Sequence, residues 1–137
     1  MKTPSYPRLA RRRSSVHGWG VFALEPIAKN KRIVHYAGEK ITTKASRPRE
    51  DRSMRRGHIW CFAINRAWVR DAAIGGNIAR FINHSCTSNC YTQVVGDIIW
   101  IRAARTIEPG EELSYDYNTR GTAAISCNCR SGCTTKL

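Results

Sequence analysis

Gly76-Asn77-Ile78-Ala79-Arg80-Phe81-Ile82-Asn83-His84-Ser85-Cys86 is the stretch on which the fold turns, and Tyr115-Asp116-Tyr117 belongs with it. Alone, the stretch reads equally well as a Gly-Asn turn, an apolar pair and a polar cluster leading into a strand. Its company changes that reading. Asn83 and His84 set an amide and an imidazole close to the thiol of Cys86, and Cys127, Cys129 and Cys133 follow near the C-terminus with ligand-like spacing. Asn77 to Phe81 reads as a short helical turn.

Working outward, 137 residues suit one domain. The hydrophobic fraction of 42% is too high for a disordered chain, and no apolar run approaches the roughly 20 residues of a membrane span. The chain therefore reads as soluble and intracellular, with no signal-peptide pattern behind its basic start. Residues 1–15, with Pro4, Pro7 and the run Arg11-Arg12-Arg13, show no apolar period and read as a poorly ordered basic arm. Val21 to Leu24 and Ile33 to Ala37 read as strands, separated from their neighbours by glycine-punctuated turns. Ile59 to Ile64 is rich in the branched and aromatic residues of a strand. Gly96-Asp97 between two apolar runs is a hairpin signal, and Leu113 to Tyr117 reads as the last core strand. Many short strands with frequent glycine point to a mostly β fold.

Five segments in order resemble the SET-domain protein lysine methyltransferases. They are Gly18-Trp19-Gly20-Val21-Phe22-Ala23, Tyr36-Ala37-Gly38-Glu39, Asp71-Ala72 with Gly76 to Cys86, Gly110 to Tyr117, and Cys127-Asn128-Cys129. The resemblance implies a SET domain over residues 16–118, built of several small sheets with few short helices and a knot-like C-terminal threading, followed by a post-SET-like tail over 119–137. Nothing local would predict such threading, which is rare in general.

It also implies site roles. S-adenosylmethionine, the methyl donor, is expected against Gly18, Trp19, Gly20, Arg80, Phe81, Asn83, His84 and Tyr117. Tyr36, Trp60, Phe62 and Tyr115 are expected to line the channel for the substrate lysine. Tyr117, Tyr36 and Tyr115 are expected to act at the reacting amine. Many family members carry tyrosine where Trp60 stands, and an indole N–H only donates where a phenol also accepts. A tyrosine at position 115 implies mono- or dimethylation. One structural zinc ion is expected on Cys86, Cys127, Cys129 and Cys133, because structural zinc favours four tetrahedral ligands with sulfur prominent. The spacing departs from the family's, with one residue fewer between Cys129 and Cys133 and Arg130 where a glycine is common. Cys61 and Cys90 read as buried small residues.

The charge is +13, from 23 Lys and Arg against 10 Asp and Glu, concentrated in the arm and in Lys44 to Arg56. Such excess serves solubility or contacts a polyanion, so nucleic-acid contact through the arm and the basic insert is one expectation. The expected substrate is a lysine-bearing tail of a histone or another basic protein, which places the chain at chromatin if eukaryotic, or in the cytoplasm or a host if microbial. A zinc-stabilised binding module with weak catalysis is the alternative reading, and the intact Asn83, His84, Tyr36 and Tyr117 oppose it. The sequence sets no oligomeric state.

Overall fold

The computed structural model describes residues 5–118 and Cys133. Among the described residues, ten short strands form four small sheets beside one α-helix and one 3₁₀ turn, which matches the mostly β expectation. Strands β1 (Leu9–Arg13) and β2 (Trp19–Ala23) form an antiparallel pair. Strand β3 (Arg32–His35) lies beside β9 (Ile98–Ala103), which pairs in turn with β8 (Cys90–Val95) through the expected hairpin. Strands β4 (Glu39–Thr42) and β5 (Cys61–Ala63) flank β6 (Trp68–Asp71). The fourth sheet is only β7 (Asn83–His84) and β10 (Ser114–Tyr115), paired in parallel.

The core runs between these sheets. Val21, Ile27, Ile33, Tyr36, Ile82, Ile101, Ile107 and Leu113 are each at most 2% exposed, so three of the four sheets and the intervening loops share one apolar cluster. Fully burying one such side chain is worth about 1.5–3 kcal/mol, and this term holds sheets too small to stand alone.

Two elements correct the sequence reading. The basic arm is not poorly ordered throughout, because Leu9 to Arg13 pairs residue for residue with Ala23 to Trp19. Its arginines are accommodated by aromatic faces: the guanidinium of Arg11 lies 4.6 Å from the Trp19 ring centroid, that of Arg13 4.4 Å, and Arg12 points to Phe22 on the other side. A strand alternates faces, which puts Arg11 and Arg13 together and Arg12 opposite.

The basic insert is a helix, α1 (Thr43–Arg55), an element that the sequence reading did not assign. Thr42 caps it, accepting from the Ala45 N–H at 3.1 Å, and Arg52 and Arg55 sit in its last turn, where the helix dipole favours cations. It hides well in sequence because Pro48 lies inside it and Ser46 is its one buried residue. Polar ties replace an apolar face: Arg49 reaches Glu39 at 2.8 Å and the buried Asp71 at 3.4 Å, fastening α1 to β4 and β6.

Candidate active site

The 3₁₀ turn Ile78–Phe81 begins the site, as the sequence led us to expect. Asn77 caps it: Oδ1 accepts from Ala79 N at 3.2 Å and from Ala37 N at 3.4 Å, while Nδ2 donates to the His35 carbonyl at 3.0 Å. One asparagine thus ties the turn to both chain neighbours of Tyr36. The chain then enters β7, whose parallel partner β10 delivers Tyr115 and Tyr117 from the far end of the sequence.

Phe62 is the centre of an aromatic cluster, with ring centroids 5.0 Å from Tyr36, 5.7 Å from Tyr115 and 5.0 Å from Tyr117. These are edge-on contacts of the kind aromatic quadrupoles favour. The Tyr36 hydroxyl donates to the Trp60 carbonyl at 2.7 Å, and the Tyr117 hydroxyl donates to the Ile82 carbonyl. Tyr115, 2% exposed, donates its hydroxyl to none of the described residues. Burial raises all three phenols above their ordinary range, with the negative charge of Glu112 adding to the effect at Tyr117. All three are therefore neutral near pH 7.

Trp60 stands apart from this cluster. Its ring is stacked on His58 at 4.8 Å and faces the Arg80 guanidinium at 5.3 Å. These three residues line a cleft of about 620 Å³ together with Arg52 of α1 and Arg56, which caps its C-terminus. Desolvation, followed by the charges of His17, Arg80 and Arg56, lowers the pKa of His58 and keeps it neutral.

A polar wall borders the cluster. Asn83, 9% exposed, donates through Nδ2 to the carbonyls of His17 at 3.2 Å and Trp19 at 2.9 Å, and to the Glu112 carboxylate at 2.9 Å. Its Oδ1 accepts from none of the described residues, leaving a buried acceptor for a ligand. Gly18 has φ +47°, a left-handed conformation suited to glycine, and a Cβ there would meet nothing within 4 Å. Gly20 differs: its Cβ would fall 2.4 Å from Glu112 Oε2, so glycine is needed there for the carboxylate. Arg80 lies 4.8 Å from the Phe81 ring and Arg11 lies at the same distance from it, so cations and aromatic faces alternate from Trp19 to Phe81. A buried unpaired acceptor, open backbone at Gly18 and this cationic aromatic wall fit a donor that carries an adenosine and an amino-acid carboxylate.

His84 Nδ1 accepts from the Tyr117 N–H at 3.0 Å, which places any ring proton of the neutral form on Nε2, 3.6 Å from Cys86 Sγ. Desolvation lowers the His84 pKa and outweighs Asp116, 3.7 Å away, which pulls it up. Cys86 and Cys133 bring their sulfurs to 3.9 Å. A disulfide needs about 2.05 Å, whereas two thiolates on a tetrahedral zinc with ~2.3 Å bonds lie about 3.8 Å apart. Cys127 and Cys129 lie outside the described residues, and among the described residues no group of three possible ligands converges. Cys90 is buried and Cys61 half-buried, and desolvation pushes each thiol up to about 12.

Of the residues named from sequence, Tyr36, Phe62, Tyr115 and Tyr117 come together, and Gly18, Trp19, Gly20 and Asn83 form the adjoining wall. Sequence reasoning missed Arg11 and Arg13, Asn77, Ser14 and Glu112. The run Leu9-Ala10-Arg11-Arg12-Arg13 carries no alternation that would have flagged the first two, and no local signal pointed to the contacts that the others make.

The family profile of the SET domain matches residues 18–118. The chain is 42% identical over 123 residues to histone-lysine N-methyltransferase ATXR7 of Arabidopsis thaliana, covering 85% of this chain and 9% of that protein. It is 40% identical over 131 residues to the histone-lysine N-methyltransferase, H3 lysine-4 specific, of Yarrowia lipolytica, covering 88% and 11%. To histone-lysine N-methyltransferase set-2 of Caenorhabditis elegans it is 44% identical over 111 residues, covering 77% and 7%. The chain thus spans about a tenth of the length of the curated relatives it matches.

The buried phenols give a test of the site's electrostatics. In a spectrophotometric titration at pH 10, the ordinary phenol value, replacing Tyr36, Tyr115 or Tyr117 with phenylalanine should leave the phenolate absorbance unchanged, because these three remain protonated there. A drop of about half a tyrosine equivalent in any variant, the share an ordinary phenol has ionised at that pH, would contradict the buried, neutral cluster.

Proposed function

This chain belongs to the SET-domain family, and from that premise we propose that it is an S-adenosylmethionine-dependent protein-lysine N-methyltransferase acting on a histone or another basic protein. The observation that carries the reading is the neutral aromatic cluster of Tyr36, Phe62, Tyr115 and Tyr117 set directly against the Asn83 wall. Gly18, Trp19, Arg80, Phe81 and Asn83 would hold the donor, with Arg13 and Arg11 completing the cationic side. When bound, S-adenosylmethionine supplies a methyl group on a sulfonium, open to in-line displacement by an amine.

The protein's own work is to present a neutral, dry and aligned lysine. At a reference pKa near 10.4, deprotonating a lysine at pH 7 costs on the order of 4–5 kcal/mol. The aromatic rings withhold water from the ammonium and the phenols offer it no anion, so the charged form is disfavoured. Tyr117 donates to the Ile82 carbonyl, which fixes the phenol and leaves oxygen lone pairs to accept from the amine. Its raised pKa argues against a phenolate base, and the lysine proton leaves to solvent. Alignment then supplies most of the rate. The unpaired Tyr115 hydroxyl would hold a water or the amine itself, occupying room that added methyl groups need, which supports mono- or dimethylation as the product.

A structural zinc on Cys86, Cys127, Cys129 and Cys133 would tie the tail to the end of β7, with His84 Nε2 oriented toward the Cys86 sulfur. The basic surface supports a second contact. Arg52 and Arg56 line the cleft without an acidic partner among the described residues, which suits a polyanion such as the nucleic acid that accompanies a chromatin substrate.

Purified zinc-loaded protein with labelled donor should label a discrete protein among core histones or in a total extract, and Tyr117→Phe should lower the rate by about 10²-fold. Tyr115→Phe should shift the product toward higher methylation by mass spectrometry; an unchanged distribution would remove the role given to its hydroxyl. Donor binding in calorimetry with no transfer to any protein would favour the binding-module reading instead. Chelator treatment should release about one zinc per chain and lower the melting temperature; a metal-free, equally stable protein would exclude the zinc site. Affinity for duplex DNA should fall steeply with salt and weaken in an Arg52→Ala, Arg56→Ala double variant, and salt-insensitive or absent binding would remove the nucleic-acid contact.

A further inference from the structure

Glu112 lies at the end of the loop before β10, and its side chain turns back into the polar wall. Both carboxylate oxygens accept from Ser14 Oγ at 2.8 Å, and Oε2 also accepts from Asn83 Nδ2 at 2.9 Å. The backbone is held as firmly, by a bridge to Phe22 and by Asn89 Nδ2, which donates to the Glu112 carbonyl at 2.9 Å. Gly20 gives the carboxylate its space.

Two consequences follow from chemistry. A carboxylate accepts hydrogen bonds and cannot donate them, so the end of the Asn83 amide that faces it must be the NH₂. That choice leaves Asn83 Oδ1 at the other end of the amide as a buried acceptor. Ser14, meanwhile, accepts from Val16 N through Oγ at 2.9 Å and donates through its own N–H to the Gly18 carbonyl at 2.8 Å, so fixing Ser14 fixes the turn that carries His17, Gly18 and Trp19. Asn83 closes the ring by donating to the His17 and Trp19 carbonyls of that turn.

We infer that Glu112 is a positioning residue for the methyl donor: its carboxylate selects the orientation of the Asn83 amide and pins the Ser14 to Trp19 turn, presenting both to the donor already arranged. The inference rests on the donor site proposed above. It differs from a merely structural role because donor binding alone should suffer when the carboxylate is removed, while the lysine side of the site, formed by Tyr36, Phe62 and Tyr115, should not.

The test is calorimetry with S-adenosylmethionine and steady-state methyl transfer on the full chain, alongside a thermal melt. Glu112→Ala should raise the donor Kd and KM about tenfold, the loss expected when a half-buried charged acceptor is removed, with the protein-substrate KM within about twofold of the parent. Glu112→Gln keeps an oxygen for Asn83 and should stay within about threefold. A folded Glu112→Ala protein with unchanged donor affinity would overturn the inference. So would an equal rise in both KM values, or a Glu112→Gln protein as weak as the alanine variant. Should Glu112→Ala fail to fold, Ser14→Ala decides, with an expected rise of about threefold in donor Kd and no change in protein-substrate KM; an unchanged donor Kd would overturn the inference. Absence of donor binding in the parent protein would defeat the donor site itself, whereas binding that Glu112→Ala leaves intact defeats only the role of Glu112.

Discussion

The parallel contact between β7 and β10 is the constraint on which the site depends. It contains only the pairs Ser114 with Asn83 and Tyr115 with His84, yet it joins the polar wall to Tyr115 and Tyr117 across about thirty residues of chain. Its few backbone bonds, each worth about 1 kcal/mol net, would not hold two such short strands together against the cost of closing that loop. Burial does. Ile82 and Leu113, which precede the two strands, are both 0% exposed and belong to the shared core. The hydrogen bonds then aim what burial has brought together: Tyr117 N–H to His84 Nδ1, Ser85 N–H to the Tyr115 carbonyl, and the Tyr117 hydroxyl to Ile82.

From this junction the site divides into two chemical environments separated by little more than the Tyr117 ring. On one side the rings of Tyr36, Phe62 and Tyr115 form a dry enclosure with neutral phenols. On the other, Asn83, Glu112 and the Ser14 to Trp19 turn form a rigid polar surface in which most donors and acceptors already have partners. The first environment suits an amine that must lose its proton. The second suits a ligand that arrives charged and must be held in one orientation.

The sequence announced the members of the site more clearly than the contacts between them. Tyr36, Tyr115 and Tyr117 were legible because their segments resemble a family in order, and the 3₁₀ turn and the β8–β9 hairpin were legible from local turn chemistry. A two-residue parallel strand carries no periodic signal, so the β7–β10 contact was not. The helix α1 was obscured for a different reason: with Pro48 inside and only Ser46 buried, it has no apolar stripe to recognise, and it is kept by a cap and by Arg49 on Glu39 and Asp71. The arginines of β1 looked like a solvated run because a sequence does not reveal that Trp19 and Phe81 offer them faces. Glu112 falls inside the family-like segment Gly110 to Tyr117, but its contacts were hidden, since its partners Ser14 and Asn83 are 98 and 29 residues away in sequence.

The charge distribution bears on how a basic substrate could be chosen by so basic a chain. Glu25, Glu39, Asp71, Asp97 and Glu111 are engaged by Arg8, Arg49, Lys40 and Arg105, and Glu112 is engaged by Ser14 and Asn83. A net charge of +13 therefore repels a lysine-rich segment at long range, most strongly at low ionic strength. Two sources remain compatible with this field: the short-range fit of one desolvated lysine among Tyr36, Phe62 and Tyr115, and an anionic partner lying between the basic surfaces of enzyme and substrate. Under the proposed function, discrimination among lysines would then fall to groups beside the aromatic cluster, such as those lining the cleft with Arg52 and Arg56.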